Sequence, residues 1–389
     1  MRAGGSVVRA WCVALIVGAA VAAIGAGGCG SAGPPPGAQS GVASPSASST
    51  SPGAADLDAR LVAAIDRMSL RQKVGQVFMI GIPGTAVTAK VKDLMTTVRP
   101  GGVLLMGDNI VDSGQLRSLT AGLQKLSRAK TRQPLFIATD QEGGEVRRVP
   151  WIGGKLSQAE MRSAEEAYTM GLRRGRGLVR LGIDLDLAPV LDLGVPGDFL
   201  TAYGRCFSGG PRRVGELGRS VIEGQKRAGI MSAAKHFPGY GGVVDDPETT
   251  HVAVRQSPPE YGQFAIAAEA EPEFVMAAVD IVYRSVDKEL AFSMSPRGIE
   301  LLRESVPGDY LVISDALDTR TMIERYGLKN VVVSSFAAGV DVLLIGPGQH
   351  APRASGHLLS AVRSGRISET ELDRRVLAIL RQKAEHFGE

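Results

Sequence analysis

Eight short apolar runs, spaced along one chain and mostly separated by amphipathic segments, constrain this sequence more than anything else in it. The runs fall at residues 77–80, 102–106, 135–138, 184–189, 231–235, 274–278, 310–314 and 342–345. Each is four to six residues long, which suits a buried strand better than a helix. Helical periodicity separates most of them, as at residues 214–228 and 369–387. Repeated strand–helix units imply a parallel sheet, and eight such units imply an α/β fold of the closed (β/α)8, TIM-barrel type. Residues 244–273 show no helical pattern, so the unit after the fifth strand is expected to be irregular. In this architecture the chemistry belongs to polar residues just past the carboxyl ends of the strands.

The barrel needs only part of the 389 residues. Residues 1–28 read as an export signal: Arg2 and Arg9 give a basic start, and residues 11–26 form an uncharged apolar run. That run is shorter than the roughly 20 residues a spanning helix needs. Ala26-Gly27-Gly28-Cys29 resembles a bacterial lipobox, which implies acylation of Cys29 after cleavage. Residues 29–56 comprise that cysteine and a Gly/Ser/Pro-rich tether with no apolar periodicity; residues 57–389 make the barrel domain. Cys12 leaves with the signal and Cys29 takes the lipid, so Cys206 has no disulfide partner. The expected location is outside the cell, attached to the membrane through lipid or secreted. Arg2 and Arg9 also supply two of the four excess positive charges, and no basic run remains to suggest nucleic acid.

The fifth run ends in Lys235–His236 and is followed at once by Phe237-Pro238-Gly239, where proline and glycine should stop the strand. The loop beyond carries Asp245, Asp246, Glu248 and His251. The third run leads into Asp140-Gln141-Glu142-Gly143-Gly144, and the seventh delivers Asp315. KHFPGYG at residues 235–241 resembles the KHFPGHG signature of family 3 glycoside hydrolases, in the single-domain bacterial branch typified by β-N-acetylglucosaminidase. The resemblance extends in order through residues 140–148 (D-x-E-G-G-x-V-x-R), residues 188–192 (A-P-V-x-D), residues 205–207 and residues 314–317 (S-D-x-L).

That resemblance implies roles. Asp140, Arg205, Lys235 and His236 would bind the terminal sugar, with Glu142 and Arg147 as structural partners. Asp192 reads as a hydrogen-bond acceptor in its turn rather than a catalyst. Asp315 would be the nucleophile, an ionised carboxylate that forms a glycosyl ester. A histidine of the loop, here His251, would protonate the leaving oxygen and later activate water. The family places an aspartate two residues before that histidine. Here Thr249 stands there, leaving Asp246 or Glu248 to support His251. Asp280 occupies the place of another family histidine, and Gly204 and Cys206 replace the usual Asp and Ser around Arg205.

The expectation is a retaining glycoside hydrolase releasing terminal β-linked N-acetylglucosamine, with peptidoglycan fragments as a source. No metal or other cofactor is called for, and a monomer is expected. Two alternatives stand beside it: a glycoside phosphorylase of the same fold, and a sugar-binding lipoprotein that has lost catalysis.

Overall fold

The computed structural model describes residues 52–388. The signal at residues 1–28, the acylation of Cys29 and most of the tether lie outside the described residues.

All eight expected strands form: β1 (Phe78–Gly81), β2 (Gly102–Leu104), β3 (Phe136–Thr139), β4 (Leu185–Asp186), β5 (Met231–Phe237), β6 (Phe274–Ala277), β7 (Leu311–Ser314) and β8 (Leu343–Ile345). They join in one parallel sheet of order β7-β6-β5-β4-β3-β2-β1-β8. A parallel bridge between Ile313 and Val342 brings β8 back to β7. At this seam a side chain assists the backbone, because Leu344 N–H donates to Ser314 Oγ at 3.0 Å. The result is a nearly closed (β/α)8 barrel. Every residue of the eight strands is buried, which is why the runs read as continuous apolar text rather than as alternation.

Eight helices follow the strands: α1 (Ala89–Val98), α2 (Ser113–Thr131), α3 (Ala164–Val179), α4 (Pro211–Ala228), α5 (Gly262–Ala268), α6 (Pro296–Ser305), α7 (Leu328–Ala338) and α8 (Ala351–Arg363). Side-chain caps start several of them, with Thr88, Asp112, Ser163 and Ser295 accepting first-turn N–H groups. Helices α3 and α4 pack closely because Gly171 and Gly224 face the partner backbone. A methyl group on either would collide with the Val221 or Tyr168 carbonyl. The helix Glu369–Phe387 then closes the chain, and its Lys383 Nζ reaches Gln76 Oε1 at 2.8 Å.

The fifth unit is irregular, as expected, but it is not devoid of helix. α5 spans 7 residues, and a short strand Ala253–Arg255 precedes it. The helix escapes notice in the sequence because it is too short to show a period and begins at a glycine. The strand pairs in parallel with Ile281–Tyr283 from the loop after β6, so the two loops above β5 and β6 are joined to each other.

Candidate active site

At the carboxyl end of the barrel lies a cavity of about 540 Å³. Asp140, Glu142, Arg205, Lys235, His236 and Asp315 all contribute to its lining, so five of the six expected sugar-handling or catalytic positions converge there. A larger depression of about 990 Å³ lies at the opposite end, beside the start of β7 and the helix Glu369–Phe387. It carries no strand-end carboxylate, and its central Asp341 is neutralised by Arg303 and Arg375 at 2.5 and 3.3 Å. The chemistry belongs to the smaller cavity.

One side of that cavity is a buried ionic cluster. Lys235, with 2% of its side chain exposed, holds Nζ 2.7 Å from Asp140 Oδ1 and 2.7 Å from Glu142 Oε1. Arg205 grips Glu142 with both prongs of its fork, Nε and Nη2, each at 2.9 Å. Burial works against the Glu142 charge, but the Arg205 and Lys235 cations overcome it and hold the carboxyl well below the ordinary range. Lys235 is likewise kept charged: desolvation opposes it, and Asp140 and Glu142 more than compensate. Gly143 lets the chain pass, since a methyl group there would strike the Arg174 guanidinium and the Leu156 carbonyl. Arg174 in turn donates to the Glu142 carbonyl at 2.7 Å. Glu142 therefore fixes the cations that fix Asp140, and Asp140 keeps Oδ2 for a ligand, with Arg148 Nε 4.0 Å away.

The second side is built on Asp192. Fully buried, it accepts from the His236 backbone N–H at 2.8 Å, from His236 Nδ1 at 2.8 Å and from the Tyr240 N–H at 2.7 Å. Three donors, His236 foremost, outweigh desolvation and hold Asp192 below its usual range. The bond to Nδ1 orients the ring so that Nε2 points at Asp315 Oδ2, 3.7 Å away. Asp315 follows β7 directly; its N–H is bound by the Ala277 carbonyl and its Oδ1 by the Ala316 N–H at 2.8 Å. Its side chain is 19% exposed, open only toward the cavity mouth.

The third side is the loop after β5. Asp246 and Glu248 line the cavity. Asp246 Oδ1 accepts the Glu248 N–H at 3.0 Å, and its carbonyl accepts the Thr249 and Thr250 N–H groups. The loop is held from outside by Thr321, whose hydroxyl donates to the Pro247 carbonyl at 2.9 Å, and by Arg320, which donates to the Thr249 carbonyl. The Thr319 hydroxyl donates to Asp280 Oδ1 at 2.6 Å, and the Thr321 hydroxyl, shared with the Pro247 carbonyl, lies 2.7 Å from the same oxygen. Burial, chiefly, with Asp315 and Asp246 adding like charge, pushes Asp280 up to about 7 despite those hydroxyls. Glu248 is pushed up to about 8 by loss of water in the cleft and by Asp315, Asp280 and Asp246; Arg205 pulls the other way. Part of Glu248 remains open to solvent at the mouth.

His251 is the expected site residue that the structure does not bring in. It is exposed and absent from the cavity lining, and among the described residues no hydrogen bond involves its side chain. The physical reason is the strand two residues on: Ala253 N–H is bound to the Asp280 carbonyl at 2.9 Å, which turns the chain away from the mouth. Sequence reasoning undervalued Asp192 and Glu248. The first was visible only as a turn acceptor, and the second as one of several acids in a polar loop. Among the described residues no cluster of His, Cys, Asp or Glu has metal-binding form.

A parallel eight-stranded barrel with a carboxylate delivered by β7 and a Lys–His pair by β5 defines a glycosidase-type site. Residues 69–382 match the model of the glycosyl hydrolase family 3 N-terminal domain, and the chain belongs to that family of glycosidases. It is similar to β-hexosaminidase A of Pseudoalteromonas piscicida, at 26% identity over 67% of this chain and 48% of the relative. It is 28% identical to the β-hexosaminidase LpqI of Mycobacterium tuberculosis over 82% of this chain and 84% of that one. Among solved structures, a family 3 β-N-acetylglucosaminidase from Paenibacillus sp. superposes with a TM-score of 0.75 at 30% identity. That alignment covers 82% of this chain and 63% of the Paenibacillus chain. The chain thus spans about half of the first relative and most of the second.

Proposed function

We propose that this protein is an exported, lipid-tethered retaining β-N-acetylhexosaminidase that removes terminal β-linked N-acetylglucosamine, with cell-wall fragments as its substrate. The observation that carries this reading is the position of Asp315: it opens into the same cavity as the Lys235–Asp140–Glu142–Arg205 cluster. The names of the similar proteins support the sugar, and the Cys29 lipobox supports the tether.

In the proposed reaction, Asp140 and the cations beside it take the hydroxyls of the terminal sugar. The Asp315 carboxylate attacks the anomeric carbon while the bond to the leaving oxygen breaks and that oxygen takes a proton from an acid on the loop after β5. The product is a glycosyl ester on Asp315. Water then attacks the same carbon, gives its proton to the now-basic loop residue, and frees Asp315 as a carboxylate. Two inversions give net retention.

A chromogenic N-acetyl-β-glucosaminide, assayed with and without phosphate, tests the reading. Phosphate-independent release of N-acetylglucosamine supports a hydrolase, and release of the sugar phosphate would make the protein a phosphorylase. Binding of the sugar without turnover would make it a non-catalytic receptor. Mass analysis of the mature amino terminus tests acylation of Cys29.

A further inference from the structure

The retaining reading leaves open which group on the loop moves the proton. We propose that Glu248, and not His251, is the acid/base residue of this site, an inference that rests on the function proposed above.

Position is the first argument. Glu248 lines the cavity into which Asp315 opens, whereas His251 lies outside it. The two carboxyl groups come from different strand ends, the loop after β5 and the end of β7. Two carboxyl groups that open into one cavity from different strand ends can flank the scissile bond, as a retaining pair does.

Fixation is the second. The Glu248 backbone is set by Asp246 Oδ1, and the carbonyls on either side of it are gripped by Thr321 and Arg320. Both of those residues begin the helix Arg320–Tyr326, shortly after Asp315 in the chain. Acid and nucleophile are therefore referred to one framework. His251 lies outside this framework, exposed on the stretch that leads into the strand Ala253–Arg255.

Charge is the third. The charged groups acting most on Glu248 are Asp315, Asp280 and Asp246, with Arg205 opposing them. Three acids favour the protonated form of a fourth, so Glu248 holds a proton at neutral pH, as a general acid requires. When Asp315 becomes a neutral ester, one of those like charges disappears. Glu248, having given its proton to the leaving oxygen, then stays ionised and can serve as the base that activates water. The same residue covers both half-reactions, and the proton it gives to the leaving oxygen is replaced by one from water.

The experiment compares Glu248→Gln and His251→Ala on two substrates. One is an N-acetyl-β-glucosaminide with a dinitrophenyl leaving group, which needs no proton; the other is a disaccharide, which does. Glu248→Gln should lose on the order of 10²–10⁴-fold on the disaccharide. It should keep a rapid first turnover on the dinitrophenyl substrate. Added azide should restore steady turnover with a glycosyl azide as product, because azide needs no base. The alkaline limb of the kcat/KM profile, expected near pH 8, should vanish in this variant. His251→Ala should keep the wild-type dependence on leaving group and show no azide product. Wild-type behaviour of Glu248→Gln, or azide rescue of His251→Ala, would overturn the assignment.

A readout independent of turnover guards against a misfolded variant or a failed substrate. In protein carrying carboxyl-labelled glutamate, the Glu248 resonance should titrate above the ordinary glutamate range and move down in Asp315→Asn. A Glu248 that titrates normally and ignores Asp315 would sink the proposal. Failure of the wider reading shows up differently: a fluorinated glycosyl trap would then leave no ester on Asp315.

Discussion

His236 Nε2 stands 3.7 Å from Asp315 Oδ2, held there by a 2.8 Å bond from its other ring nitrogen to buried Asp192. The candidate nucleophile is thus aligned by a side chain whose own orientation is set one layer deeper, a dependence that mutation can expose.

Asp315→Asn should lower kcat on the order of 10⁴-fold, the scale seen when a group that forms a covalent intermediate is removed. Sugar binding should survive, since Lys235, Asp140 and Arg205 do not rely on Asp315. Steady-state kinetics and calorimetric titration with N-acetylglucosamine would separate the two effects, and intact turnover would disprove the nucleophile.

Asp192→Ala removes the acceptor of two backbone N–H groups and a ring nitrogen, all buried. Each donor left alone costs about 1–3 kcal/mol, so the midpoint of chemical unfolding should fall clearly. Asp192→Asn keeps the shape and should be milder in stability. A displaced imidazole should still cost roughly 10²-fold in kcat. Denaturant melts and kinetics on the two variants test this.

Glu142 makes a signed prediction about acid. Its folded-state pKa is depressed, so its contribution to stability is complete above the unfolded value near 4.5 and is lost as pH falls below it. Lys235→Met leaves Glu142 with only Arg205 and Asp140 with only the distant Arg148. Breaking such a buried pair should cost about 3–5 kcal/mol near neutrality. The deficit relative to wild type should shrink in acid, as unfolding curves at pH 7 and pH 3 would show.

Asp280 carries the opposite sign. Its folded pKa is raised from 3.8 to about 7, so the folded chain holds this proton more tightly than the unfolded chain does. Stability is therefore drained as pH rises from about 4 to 7 and is level above that. The whole effect is on the order of 4 kcal/mol. Asp280→Asn should flatten that slope and be relatively more stable at pH 7.5 than at pH 4; an unchanged slope would contradict the assignment.

The strands were legible because parallel strands buried on both faces need uninterrupted apolar text, as in Phe78-Met79-Ile80 or Leu311-Val312-Ile313. Lys235, His236, Asp140 and Asp315 were legible because each ends such a run or directly follows it. What the sequence could not convey is which way a loop side chain turns. His251 and Glu248 are three residues apart on one polar segment, and only the pairing of Ala253–Arg255 with Ile281–Tyr283 separates them. Asp192 is the acceptor the sequence suggested, but its partners could not be read there, because its three donors come from residues 236 and 240, far along the chain. The seven-residue helix α5 lacks the length to show a period at all.

The ionic cluster around Glu142 pairs two anions, Asp140 and Glu142, with two cations, Lys235 and Arg205. That half of the cavity is electrically balanced and suits an uncharged pyranose ring. The other half gathers Asp246, Glu248 and Asp315, with Arg205 drawing on Glu248 from across the cavity. With Asp315 neutral as the sugar ester, Asp246 and the ionised Glu248 would still repel a multiply charged anion entering there, while a neutral solvent molecule would meet no such opposition. On the proposed hydrolase reading this layout would favour water as the acceptor, and raising the phosphate concentration should leave the product distribution on the side of the free sugar.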